Sequence, residues 1–187
     1  MNTRSLLLLA LLGLLVIVLV WYLASHGQLG PRAGLQPATP PAAASPTFGP
    51  RTKTSGCVVV GGLPDRACTP GAIFPDVTRD QVCQPGYAKS VRDVPASEKA
   101  EVYAEYGIKK HPPGSYEVDH LVSLELGGSN DIANLWPEAA NPRPGFHEKD
   151  QVENYLHEQV CSGAMSLQEA QQAIATDWLA VYRRIQR

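Results

Sequence analysis

The chain has 187 residues, of which 44% are hydrophobic, with 16 Lys and Arg against 18 Asp and Glu. Both cations that precede Arg51, Arg4 and Arg32, lie outside the later part of the chain, so from Arg51 onward 14 Lys and Arg face 18 Asp and Glu, a net of −4. That balance excludes a broad phosphate-binding face of the kind general nucleic-acid binders carry. It leaves room for a small site in which a bound cation supplies positive charge.

Residues 6–24 contain no charge and no strongly polar side chain. A helix of that length spans roughly 28 Å, close to the ~30 Å of a bilayer core. Trp21 and Tyr22 stand at its far end, where aromatic rings favour the interface, and Arg4 precedes it. The segment 1–24 therefore reads as a single transmembrane anchor with its N-terminus in the cytoplasm. A cleaved signal peptide is the alternative, although residues 22–25 make a poor cleavage site. Either way the rest of the chain is expected outside the cytoplasm, periplasmic or extracellular, and secreted if the segment is removed. Residues 25–55, with Pro31, Pro37, Pro40, Pro41, Pro46 and Pro50 among Ala, Gly, Ser and Thr, read as an extended linker.

The globular part is expected over 56–187. It holds all four cysteines, Cys57, Cys68, Cys83 and Cys161. An even count in an exported domain predicts disulfides. The first expectation pairs Cys68 with Cys83, inside one Pro/Gly-rich stretch, and Cys57 with Cys161. Zinc is the weaker alternative, because the spacings lack the close pairs structural zinc prefers.

Residues 57–95 read as loops and short strands. A short helix follows Pro95, with Asp93 or Ser97 as caps and Ala100, Val102, Tyr103 and Tyr106 along it, ending at Gly107. A strand is expected over 116–126, then a turn at Gly127-Gly128-Ser129-Asn130-Asp131, then a second strand over 132–136. A helix begins near Phe146, with Val152, Tyr155, Leu156 and Val160 on its buried face. A final helix opens at Ser166, where Ser166 and Glu169 form a capping box. Its stripe of Leu167, Ala170, Ile174, Trp178, Val181, Tyr182 and Ile185 reads as core. The fold class is α+β, built on a ββα unit with additional helices and a loop-rich, cysteine-containing N-terminal region.

That unit can gather chemistry. Asp119 and His120 end the first strand, Asn134 stands after the turn, and His147 opens the helix. Neighbouring strand residues point to opposite faces, so a twist or bulge is needed for Asp119 and His120 to serve one site. His147 lies roughly 140° around the helix from Val152 and so points away from the apolar face. An imidazole suits proton abstraction at neutral pH, and a divalent cation suits the charge that develops on a phosphate.

The run VDHLVSLELGGSNDIANLW followed by FHEKDQVENYL resembles the HNH endonuclease family, whose fold is the ββα-metal finger. The match covers residues 117–157. The resemblance implies a metal-dependent endonuclease that hydrolyses nucleic-acid phosphodiesters, with His120 as general base and Asn134 as the structural Asn of the catalytic unit. It implies Asp119 and His147 as ligands of one divalent ion (Mg2+, Mn2+ or Zn2+). The cysteine pairs of many relatives do not flank the unit, and the interval between Asn134 and His147 is long, so Asn141 and Asp150 are substitutes for the helix ligand. Lys109 and Lys110 are weaker candidates for phosphate contact, and His157 is expected to face solvent. The expected partners are nucleic acid, DNA before RNA, and the membrane through the N-terminal helix, with a protein inhibitor left open. Two alternatives stand. One is a non-catalytic, disulfide-tied binding module that retains the ββα scaffold. The other is a hydrolase of a different phosphodiester or of cell-wall material.

Overall fold

The computed structural model describes residues 17–19, 21, 22, 25 and 48–187. The expected anchor and most of the expected linker therefore lie outside the described residues. Residues 17–19, 21, 22 and 25 are helical and belong to a unit separate from the rest. Among the described residues, no helix is long and apolar enough to cross a membrane.

The second unit is a mixed α+β domain. Its elements, in chain order, are α1 (Arg79–Val82), α2 (Tyr87–Val91), α3 (Ala96–Glu105), β1 (Tyr116–His120), two 3₁₀ turns (Leu124–Leu126 and Ile132–Asn134), β2 (Leu135–Ala139), α4 (Phe146–Ser162) and α5 (Leu167–Ile185). The packed region reaches back into the stretch read as linker. Phe48 packs against the core, Arg51 pairs with Glu105, and the backbone N–H groups of Thr52 and Lys53 both donate to Ala67 O.

The two strands form an antiparallel hairpin whose register runs unbroken from Tyr116↔Ala139 to His120↔Leu135. Both strands are shorter than, or shifted from, the apolar runs that suggested them. After His120 the chain turns into a 3₁₀ segment, so Leu121, Val122, Leu124 and Leu126 become core residues rather than strand residues. The turn needs its glycines. A Cβ on Gly128 would lie 1.7 Å from Val122 O, and Gly127 has φ +75° with the Val77 methyls 2.7 Å from where a Cβ would stand.

Helices α4 and α5 pack against each other and bury Val152, Leu156, Val160, Ile174 and Trp178 beneath the hairpin. The Ser166–Glu169 capping box forms as its spacing predicts. The α5 stripe is not carried by one straight helix. Asp177 leaves helical geometry (φ −163°, ψ 84°), and its Oδ1 accepts from Ala180 N–H at 2.9 Å, starting the last turns afresh. At the C-terminal end of α4 the Arg79 guanidinium donates to Val160 O and Cys161 O at 2.9 and 2.6 Å, placing a cation where the helix dipole is negative.

The disulfide pairing differs from the expected one. Cys57 bonds Cys68 and Cys83 bonds Cys161; the Cys68–Cys83 and Cys57–Cys161 pairs do not form. Cys83 caps α1, which packs against α4, so tertiary packing brings it to Cys161 across 78 residues. Two closed disulfides and no free cysteine fit an oxidising, extracellular-type compartment.

Candidate functional site

Asp119 and His120 end β1, and the regular register sends them to opposite faces. No bulge intervenes to bring them together. Asp119 shares a face with Glu117, Glu138 and Trp136 and meets α4. His120 shares the other face with Val118 and meets the turn and the end of α2.

On the α4 side, Asp119 meets a lysine that the sequence reading passed over. The Lys149 ammonium, fully buried, donates to Asp119 Oδ2 at 2.6 Å, to His120 O at 2.8 Å and to Glu153 Oε1. The other oxygens are also engaged. Asp119 Oδ1 accepts from His120 N–H at 2.8 Å, and Glu153 Oε2 accepts from Ser123 Oγ at 2.9 Å. Burial alone would raise the Asp119 carboxyl, but the Lys149 charge and hydrogen bonds outweigh it and hold it below the usual range. Burial would likewise lower the Lys149 pKa, and Asp119, Glu153 and Glu138 reverse that and raise it. Burial raises Glu138, 1% exposed, well above the usual carboxylate value, against the pull of Lys149. A signal for Lys149 was present: it falls three residues before Val152 and seven before Leu156, on the apolar stripe itself.

On the other face, His120 is 2% exposed. Asn130 Nδ2 donates to Val91 O at 2.7 Å, which turns Asn130 Oδ1 toward His120 Nε2 at 3.1 Å. An amide oxygen only accepts, so Nε2 carries the hydrogen and Nδ1 carries the lone pair. Among the described residues, Nδ1 has no hydrogen-bond partner. Burial pushes the His120 pKa down to about 4, with Asp119 and the Asn130 hydrogen bond opposing and the Arg92 charge adding to the fall. The ring is therefore neutral at pH 7. Arg92 is exposed and near enough to act electrostatically on His120, Glu117 and Asp150 together. It is a second residue that motif reasoning missed, since it lies outside the 117–157 run. Glu117, on the exposed edge, is pushed up to about 7 by partial burial and then by Asp119 and Asp150.

The remaining candidates are placed as follows. Asn134 is fully buried and its side chain makes no hydrogen bond to His120. Its Oδ1 accepts from Val122 N–H at 2.9 Å and Ala72 N–H at 3.3 Å, and its Nδ2 donates to Val122 O at 3.0 Å and Ser129 O at 2.9 Å. It ties the turn to the strands, and the residue that orients His120 is Asn130. His147 is exposed, with its ring against Phe146 at a centroid distance of 4.3 Å. Asp150 lies exposed on the same turn of α4, its pKa raised by partial burial and then by Asp119. Asn141 is exposed in the β2–α4 connection, which contains two cis X-Pro peptides at Pro142 and Pro144. Lys109 and Lys110 are exposed in the loop before β1, and His111 beside them stacks on Tyr103 at 4.4 Å. His157 is half-buried rather than solvent-facing, and its Nε2 hydrogen-bonds Val82 O at 3.0 Å.

The residues do not fit a divalent ion between Asp119 and His147. Both Asp119 oxygens are already hydrogen-bonded, one of them to an ammonium. Asp119, His120 and His147 do not gather within 4.8 Å; the one group of three or more His, Cys, Asp or Glu donors that does so, among the described residues, is Cys83, His157 and Cys161. Those three could hold a metal by position, but the two sulfurs are bonded to each other. Comparison with protein-family models, with curated proteins and with solved structures gives no match.

Proposed function

We propose that the 48–187 unit hydrolyses nucleic-acid phosphodiesters, DNA before RNA, outside the cytoplasm. The observation that carries this reading is the state of His120. A neutral imidazole stands at the end of a ββα hairpin, its Nε2 hydrogen directed at Asn130 and its Nδ1 lone pair without a partner among the described residues. The resemblance of residues 117–157 to HNH endonucleases points the same way. Nδ1 of His120 takes a proton from water, the hydroxide attacks phosphorus in line, the opposite P–O bond breaks, and the departing alkoxide is protonated by solvent water. Arg92 binds the phosphate and stabilises its developing charge, as a guanidinium can through two parallel N–H donors. Few phosphate contacts are available on an acidic domain, so binding is weak and tolerant of sequence.

The test is plasmid nicking by the purified protein, with and without a series of divalent cations, beside His120→Ala and Arg92→Ala of unchanged circular dichroism. Cleavage that falls by about 10²–10⁴-fold in His120→Ala is the expected result. A second reading, the binding module, is favoured by one observation: His120 is 2% exposed. Absence of cleavage of both DNA and RNA under every cation condition selects that reading.

A further inference from the structure

We infer that the Lys149 ammonium occupies the place a divalent cation would take at the centre of this ββα unit, so that the unit is closed by a cation belonging to the chain itself. A hard cation there would draw oxygen ligands from the strand end and from the helix. Those are the atoms Nζ holds: Asp119 Oδ2 and His120 O from the end of β1, and Glu153 Oε1 one turn along α4. An ammonium has three N–H donors, and three oxygens receive them, so its hydrogen-bonding capacity is filled.

The outer contacts match this role. Ser123 Oγ holds the second oxygen of Glu153, and His120 N–H holds the second oxygen of Asp119. The carboxylates are thus aimed by neighbours, as ligand oxygens around an ion are aimed by theirs. The Lys149 side chain has no exposed surface, so it has no solvent position to which it can swing while an ion enters. A buried carboxylate pair without a cation is costly. With Lys149 present the charge is supplied permanently, and no ion need be captured to join β1 to α4.

The test reads metal binding and melting, so its outcome stands apart from that of the hydrolase reading. The purified protein is stripped with chelator and dialysed, and its metal content and thermal midpoint are followed with and without Mn2+. Wild type is expected to retain no equivalent of metal and to keep its midpoint under either condition. Lys149→Ala frees Asp119 and Glu153; its midpoint is expected to fall and then to rise on addition of Mn2+. A wild-type protein that carries about one equivalent of metal, lost in Asp119→Asn, overturns the inference, as does a folded Lys149→Ala that ignores Mn2+. Where Lys149→Ala does not fold, the wild-type measurement alone decides.

Discussion

Replacing Lys149 by Met keeps the length of the side chain and removes its charge. At an effective dielectric of about 20, an ion pair at 2.6 Å is worth roughly 6 kcal/mol of Coulomb attraction, and Lys149 faces two carboxylates. Most of that is offset by the several kcal/mol needed to desolvate each ion. What remains after Lys149→Met is an uncompensated cost, because Asp119 and Glu153, with side chains only 13% and 15% exposed, stay largely out of water while their cation is gone. Breaking a buried pair in this way costs about 3–5 kcal/mol, a large share of a small domain's stability. The loss has a pH signature. In wild type Asp119 is held below its ordinary value, so its contribution is present above about pH 4 and is lost as pH falls further. Burial already raises Glu153 to about 7 in wild type, and in Lys149→Met Asp119 loses its main opposing charge and is left with the His120 N–H hydrogen bond, as Glu153 is with that of Ser123, so the variant gains more stability than wild type as pH falls from 7 toward 4.5. Urea unfolding of both proteins across that range is the assay. A penalty under about 1 kcal/mol at pH 7, or one that does not shrink in acid, refutes the reasoning.

Further outcomes are expected at His120, at the two disulfides and at Asn134. His120 has a folded pKa of about 4 against an ordinary 6.5, so its contribution is complete above pH 6.5 and declines as pH falls toward 4. That gap corresponds to roughly 3 kcal/mol, and His120→Gln should flatten this part of the urea-midpoint profile. If His120 is the base, the acid limb of kcat/KM lies near pH 4 rather than 6.5. In the chain-entropy picture, losing the 78-residue Cys83–Cys161 link costs about 4.5 kcal/mol and the 11-residue Cys57–Cys68 link about 2.8 kcal/mol. Paired Cys→Ala variants compared by thermal melting should rank in that order, and non-reduced peptide mapping should show these two pairings. Asn134→Ala removes four hydrogen bonds from a fully buried amide and should cost roughly 3 kcal/mol in urea unfolding. A loss of activity in Asn134→Ala without a loss of stability would contradict its placement as a structural residue.

What the amino-acid sequence determined on its own is what rests on neighbours within a few residues. The Ser166–Glu169 capping box, the Gly127-Gly128 turn, the span of α4 and the order strand, turn, strand, helix all depend on local spacing, and all are present in the fold. The ends of the strands were less legible, because an apolar run such as 121–126 serves a buried 3₁₀ turn as well as a strand. Only the tertiary structure decided which cysteines pair, since any of three pairings satisfies the composition and the packing of α1 on α4 selects one. The roles around the hairpin were decided in the same way. A lysine on an apolar stripe is a local oddity, but the oxygens that make it a central cation come from residues up to 30 positions away. Charge and hydrogen-bond partners act through space, and chain order does not record which distant groups the packing will bring within 3 Å.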